Sequence, residues 1–279
     1  MPGSFLRSNS TARRRFSAAN RTTRVGERGV SGPTSAPAEW FRDWFGRTYL
    51  ELYPHRDEEE AGRGVALYRE RAGLAAGARV LDLACGAGRH LQRLRAGGLR
   101  AVGIDLSAPL LDAARTRPGV DGSLVRADMR VLPFAAGVFD GLVNFFTSFG
   151  YFLTPQEDIE VLREIRRVLR PGAPFLMDYL HAAWVIDRLD PESVGEIDGT
   201  RVRQTRWVEG DQVFKRIEIG GAGDREPEVY HERVRLYSPE ALRALLREQG
   251  LEATDAFGGY DGTPFRADSA RLLLLGRTL

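Results

Sequence analysis

The sequence predicts an α/β fold: a parallel sheet flanked by helices, followed by a small antiparallel β insertion. Three observations predict it. From Ala78 onward, five short apolar segments (RVLDLA, RAVGIDL, SLVRA, FDGLVNFF and PFLMDYL) alternate with helical ones. Repeated βαβ units of this kind imply parallel strands joined by right-handed crossovers. The first apolar segment leads into a glycine loop that opens a helix. After Tyr179 the pattern changes to strand, turn and strand.

The first 35 or so residues are rich in Ser, Thr, Arg, Gly and Ala and poor in large apolar side chains. They cannot bury enough surface to fold alone and read as a disordered tail, residues 1–35. Their composition also suits a transit peptide, but Lys215 is the only lysine in the chain, so the arginine bias is global. From Pro37 the apolar residues Trp40, Phe41, Trp44, Phe45, Tyr49 and Leu50 recur at helical spacing and predict one amphipathic helix. A turn at Pro54 and His55 separates it from a second helix over 57–74, opened by acids that suit a helix N-terminus. These helices form an N-terminal helical segment, residues 36–76.

The core, residues 77–180, carries helices over 88–96, 108–117 and 156–169 between its strands. In the insertion, residues 181–237, strands over 200–209 and 212–219 flank a Gly210-Asp211 turn, and a third strand covers 228–237. The last segment, residues 238–279, holds a helix capped by Ser238 and ended by Gly250, then strands over 251–257 and 270–277.

Bulk composition narrows the function. Hydrophobic residues make up 43% and charged residues 28%, ordinary for a folded soluble chain. No apolar run approaches the roughly 20 residues that span a bilayer. The lone cysteine, Cys85, excludes an intrachain disulfide and fits a cytoplasmic protein. Four scattered histidines offer no metal-ligand spacing, so no metal is expected. The formal charge of +2 divides unevenly: residues 1–32 hold seven arginines and one acid, leaving about −4 on the body. A nucleic-acid-binding body would carry a basic face, so nucleic acid is a minority reading.

The chemistry lies in VLDLACGAGRH, residues 80–90. A strand carrying Asp82 ends in a loop with Ala84, Gly86 and Gly88, and a helix follows. Glycine lets a ligand approach the backbone closely, and the helix N-terminus presents free N–H groups to it. A dinucleotide loop would add a third glycine, but Leu91 stands there, and Asp82 stands where a small residue is usual. Asp105 ends VGIDLS, with Leu106 beside it, and an acid there can accept both ribose hydroxyls of a nucleoside. Asp128 and Met129, in ADMRVLPF, could accept an adenine amino group and lie against its ring. A helix cap at Asp105 and a turn at Asp128 are the plain alternatives.

With these blocks in order, followed by FDGLVNFFTSFGYF and VLRPGAPFLMDYL, the chain resembles a class I S-adenosylmethionine-dependent methyltransferase. The resemblance covers roughly residues 45–180. It implies a Rossmann-like, seven-stranded, mostly parallel sheet with a reversed last strand, and S-adenosylmethionine as cofactor. It places Gly86 and Gly88 beside the methionine portion, Asp105 on the ribose and Asp128 near adenine. Asp82 would orient the loop and the ligand's amino group. Asn144 and Phe145, at the end of the fourth strand, would face the donor. Phe149, Tyr151 and Tyr49 stand on the acceptor side, where aromatic faces suit a sulfonium cation and core packing is the alternative. The Asn/Asp-Pro-Pro-Tyr/Phe motif of nucleobase methylation is missing.

No general base is fixed; Tyr151 and His181 are weak candidates. Arg56 or Arg89 could pair with the donor carboxylate. The N-terminal helical segment, residues 36–76, resembles a lid over the site, and the insertion resembles one that roofs the acceptor pocket or joins subunits, consistent with a homodimer. The reading is methyl transfer to nitrogen or oxygen of a small-molecule acceptor. Three rivals stay open: an RNA methyltransferase using the basic tail, a non-catalytic binding protein on the same fold, and a dehydrogenase.

Overall fold

The computed structural model describes residues 36–53, 58–197, 199–220 and 226–279. The expectations for the N-terminal tail and for the Pro54-His55 turn with Arg56 lie outside these residues.

The chain enters through α1 (Trp40–Trp44) and α2 (Arg47–Leu52). Sequence spacing suggests a single helix here, but the backbone breaks between them. Gly46 adopts an extended conformation (φ −115°, ψ −157°) that no helix interior contains. The break turns Trp40, Phe41 and Trp44 inward on α1 and Tyr49 and Leu52 inward on α2. Helix α3 (Glu58–Ala72) follows, its first turn holding Glu58, Glu59 and Glu60.

The core then alternates strand and helix: β1 (Arg79–Leu83), α4 (Arg89–Ala96), β2 (Arg100–Asp105), α5 (Ala108–Arg115), β3 (Leu124–Arg126), β4 (Gly141–Asn144), α6 (Pro155–Val168) and β5 (Pro174–Leu180). Local signals set the ends of these helices. Ser107 accepts the Leu110 N–H at 3.2 Å to cap α5, and Thr154 with Glu157 forms a full capping box on α6.

The insertion contains α7 (Ala182–Asp187), β6 (Glu192–Ile197), β7 (Thr200–Glu209), β8 (Gln212–Ile219) and β9 (Glu228–Arg235). The chain closes with α8 (Pro239–Glu248), β10 (Leu251–Phe257) and β11 (Arg271–Thr278). Ser238 accepts the Ala241 N–H at 3.1 Å and caps α8. The sequence gives no signal for α7 or β6. One is a six-residue helix burying two side chains, and the other is an edge strand with Gly195 at its middle.

The seven-stranded sheet has the order β10-β11-β5-β4-β1-β2-β3, and the separate sheet runs β6-β7-β8-β9. In the large sheet β11 alone runs against its neighbours, pairing antiparallel with both β10 and β5. The expected mostly parallel sheet with a reversed last strand is the fold observed. Successive residues point to opposite faces. Leu81, Leu142 and Phe175 join Val161 and Ile165 of α6 and Leu242 and Leu246 of α8 in one core. Val80, Val143 and Leu176 join Leu67 and Tyr68 of α3 and Leu91 and Leu94 of α4 in the other. Crossovers leave a crevice at the carboxyl ends of β1, β2 and β4, where ligands bind in such sheets. Helices α1 and α2 lie over that crevice, braced on β9 through Trp44 and Tyr230, whose rings are 5.1 Å apart.

Candidate active site

The loop after β1 needs left-handed backbone. Ala84, Gly86 and Gly88 have φ of 57°, 55° and 75°. At Gly88 the demand is also steric, because a Cβ there would stand 2.9 Å from the Cβ of Ala114 on α5. The loop brings the N-terminus of α4 close under the crevice, and Gly88 caps that helix.

Asp105, at the end of β2, clamps this loop. Its Oδ2 accepts the Gly86 N–H and its Oδ1 the Ser107 N–H, each at 2.8 Å. Two carboxylate oxygens hold about four lone pairs, so acceptor capacity remains toward the crevice. Burial raises its pKa, opposed by the backbone N–H groups of Ser107, Gly86 and Leu106.

Asp82 lies beneath the loop, 1% exposed. Its pKa is pushed up to about 8, by burial first and then by Asp105, against the pull of Arg89. Its Oδ2 has no hydrogen-bond partner, nor does Oδ1 of buried Asn144. The Asn144 side-chain amide donates to the Leu83 carbonyl at 2.9 Å, tying the ends of β1 and β4 together.

After Asn144 the chain leaves the sheet sooner than the apolar run FDGLVNFF suggests. Phe146 and Thr147 are left-handed, with φ of 65° and 53°, a conformation costing bulky residues roughly 1–3 kcal/mol each. A buried network holds them. Asp178 of β5 accepts the Phe146 N–H at 2.7 Å, the Tyr260 hydroxyl, and Arg271 at 3.4 Å. Arg271 also donates to Glu60 of α3 at 2.9 Å, and its guanidinium lies 4.2 Å from the Tyr260 ring centre. Burial raises the Asp178 pKa, with Arg271 the leading opposing influence.

Between these loops and the lid helices lies a cavity of about 660 Å³, a size suited to a small ligand. Of the residues singled out from sequence, Ala84, Gly86, Asp105, Leu106, Asp128, Met129, Phe145, Tyr49 and Tyr151 line it. Arg89 does too, its guanidinium 5.1 Å from the Phe146 ring centre. Asp82, Gly88 and Asn144 stand behind the wall as supports.

Two further residues do not reach the cavity. Phe149, expected on the acceptor side, is core, 1% exposed between Tyr179 and Tyr237. Its ring turns inward because the loop carrying it folds back onto β5. His181, a weak candidate base, precedes α7, with Nδ1 2.7 Å from the Ser269 carbonyl and its ring against Phe265.

Asp128 faces the cavity but is already engaged. Arg130 donates to it from its backbone at 2.9 Å and its side chain at 2.7 Å. Burial works to raise the Asp128 pKa, and these Arg130 contacts outweigh it and hold the carboxyl below its usual range. Arg130 also pairs with Glu157 at 2.6 Å.

Sequence reasoning missed several wall and support residues. His90 stacks on Phe145 at 4.1 Å, and Phe45 stacks on Tyr151 at 5.8 Å. Ser107 donates its hydroxyl to the Phe45 carbonyl, fastening the lid to the core. Asp178 carried a readable signal, as a lone acid inside the apolar run PFLMDYL. Among the described residues, no cluster of His, Cys, Asp and Glu could hold a metal ion, and no helix is long and apolar enough to cross a membrane.

Comparison with known proteins gives the family. The methyltransferase domain family matches residues 80–172. A Cypemycin N-terminal methyltransferase from a Streptomyces species is 32% identical over 206 residues, covering 71% of this chain and 82% of that protein. A dTDP-3-amino-3,6-dideoxy-alpha-D-glucopyranose N,N-dimethyltransferase from Streptomyces fradiae is 30% identical over 231 residues, covering 76% and 87%. An S-adenosylmethionine-dependent methyltransferase structure from Clostridium acetobutylicum shares the fold, with a TM-score of 0.71 and 19% identity over 85% of this chain and 98% of that one. With relatives at 30% identity or more matched over most of both chains, this chain belongs to the S-adenosylmethionine-dependent methyltransferases.

Proposed function

We propose that the enzyme methylates an amine nitrogen of a small molecule in the cytoplasm. The observation that carries this reading is the double character of the cavity's lining. Part of it is backbone and carboxylate: the Gly86 loop, Asp105 and Asp128. Another part, from α1, α2 and the loop after β4, is aromatic: Phe45, Tyr49, Tyr53 and Tyr151. Aromatic faces attract ammonium and sulfonium cations, and of the relatives described above one is named an N-terminal methyltransferase and one an N,N-dimethyltransferase of a 3-amino-dideoxy-glucopyranose.

The residues present fit S-adenosylmethionine, which supplies an electrophilic methyl group on a sulfonium. Spare acceptor capacity on Asp105 suits a ribose diol. Met129 and Leu106 supply apolar surface for the adenine, with Asp128 at its edge and shared with Arg130. The partnerless Asp82 Oδ2 and Asn144 Oδ1 are buried polar atoms behind the glycine loop, where the methionine portion would lie. Arg89 would meet the carboxylate.

The chain's main tasks are alignment and exclusion of water. Phe145 and Phe146, held by the Asp178 network, add aromatic wall to the cavity. The lid, sealed by Trp40 and Phe45 against Tyr151 at 5.0 and 5.8 Å, limits the acceptor to something small enough to lie beneath it.

A panel of primary and secondary amines and matched alcohols, incubated with labelled methyl donor, tests the reading. Label transfer to amines, with S-adenosylhomocysteine formed in equal amount, is expected. Transfer to the alcohols alone would refute methylation at nitrogen.

A further inference from the structure

The inward face of the antiparallel sheet carries a row of charges that stability does not explain. Arg206 on β7, Lys215 on β8 and Glu232 on β9 stand directly opposite one another in register. They are 5%, 0% and 2% exposed. Like charges opposite each other in a sheet destabilise it, and burying ions carries a desolvation penalty that pairing does not always repay. In a chain with 40 lysines and arginines, the single lysine occupies the middle of this row.

The row leads to the cavity through one side chain. Lys215 Nζ lies 3.3 Å from Glu232 Oε1, which also accepts the Trp44 indole N–H at 2.7 Å. Lys215 also donates to the phenol oxygen of Tyr53 at 3.1 Å. Tyr53 is among the residues that line the cavity. Arg206 acts on the same group: burial works against its guanidinium charge, while Tyr53, Asp190 and Glu232 favour it. Its own hydrogen bonds go to the Asp190 carbonyl at 3.3 Å, Ser193 Oγ at 3.0 Å and Gln204 Oε1. The surroundings of Tyr53 also include the Tyr49 ring at 5.3 Å, on the helix that Tyr53 ends, while Tyr230 of β9 packs on Trp44. Buried cations therefore bear on the phenol of a residue that lines the cavity. A cation within hydrogen-bond reach of a phenol oxygen favours its ionised form.

We propose that Tyr53 takes the proton of the acceptor ammonium, and that the Arg206–Lys215–Glu232 row is the positioning device that holds its oxygen and favours its phenolate. This rests on the amine reading above. The acceptor N–H bond breaks and its proton passes to the Tyr53 oxygen, leaving a lone pair on nitrogen. That pair forms the N–C bond to the methyl group as the C–S bond breaks, its electrons staying on sulfur. The proton leaves Tyr53 for solvent when the methylated ammonium departs.

The test uses the full chain in three forms: wild type, Tyr53→Phe, and the charge-neutral double variant Lys215→Met with Glu232→Gln. Ultraviolet absorbance of ionised tyrosine is followed against pH without acceptor, and kcat, KM and donor affinity are then measured with an amine. In the wild type, one tyrosine is expected to ionise ahead of the ordinary range near pH 10. That signal disappears in Tyr53→Phe and moves up into the ordinary range in the double variant. In Tyr53→Phe, kcat falls about 100-fold, the loss expected for a general base, while donor affinity is unchanged. In the double variant, the acidic limb of the pH–rate profile moves to higher pH.

No early-ionising tyrosine, or wild-type kcat in Tyr53→Phe, overturns the inference while leaving the amine reading standing. A raised KM with unchanged kcat overturns it too, because Tyr53 would then only bind. If no amine turns over while the early signal is present, the amine reading falls and the proton role falls with it.

Discussion

Replacing Asp105 with alanine separates donor binding from folding. The carboxylate accepts two backbone N–H groups at 2.8 Å, from Gly86 and Ser107, and retains lone pairs toward the cavity. A hydrogen bond to a charged group contributes roughly 1.5–3 kcal/mol. Losing two such bonds to a ribose diol at the low end of that range removes about 3 kcal/mol. At 1.4 kcal/mol per tenfold, donor affinity should fall by more than about 100-fold. The freed N–H groups of Gly86 and Ser107 border the cavity and can be hydrated, so the fold should survive with a fall in melting temperature of only several degrees. Asp105→Asn, which keeps one acceptor oxygen, should lie between. Calorimetric titration with S-adenosylhomocysteine measures the affinities, and circular dichroism confirms folding. Wild-type affinity in folded Asp105→Ala protein would refute the ribose assignment.

Gly86→Val should weaken donor binding at least about tenfold, because φ of 55° strains a β-branched residue; unchanged affinity in a titration would count against the loop's role. Asp178→Asn removes the charge that Arg271 and Tyr260 share. Breaking a buried pair costs about 3–5 kcal/mol, to be read by denaturant unfolding, and a loss under about 1 kcal/mol would show that the network is not structural. Asp82 supplies a pH test. Its folded pKa is raised to about 8, so between the unfolded value near 4 and about 8 the native state holds the extra proton. Its contribution is therefore fully present below the unfolded pKa and is lost as pH rises through the folded one, by at most about 1.4 kcal/mol per pH unit. Asp82→Asn should remain folded and show a flatter fall in stability from pH 5 to 8; an identical slope would contradict a protonated Asp82.

The core was legible because its signals are local. Alternation of apolar runs with helices gave the parallel sheet, and Ser107, Thr154 and Ser238 sit where capping chemistry places helix starts. Asp105 and the Gly86 loop could be read because a strand, a tight turn and an acid at fixed spacing leave few alternatives. Contacts between distant segments left no such trace. Phe149 and Tyr151 look alike in FFTSFGYF; only the loop's return onto β5 sends one into the core and leaves the other at the cavity. His181 reads as a candidate base until Ser269, 88 residues away in sequence, occupies its ring nitrogen. The break at Gly46 is decided by packing against Tyr151 and β9, which outweighs the helical spacing of the aromatic residues. The charge row across β7, β8 and β9 depends on register, and the lone lysine was its only visible sign.

The most direct test of the account is calorimetric titration of the purified chain with S-adenosylmethionine, S-adenosylhomocysteine and NAD(P)H in parallel. The account predicts binding of the first two at a single site, lost together in Asp105→Ala, and none of the nicotinamide. Binding of NAD(P)H alone would contradict it.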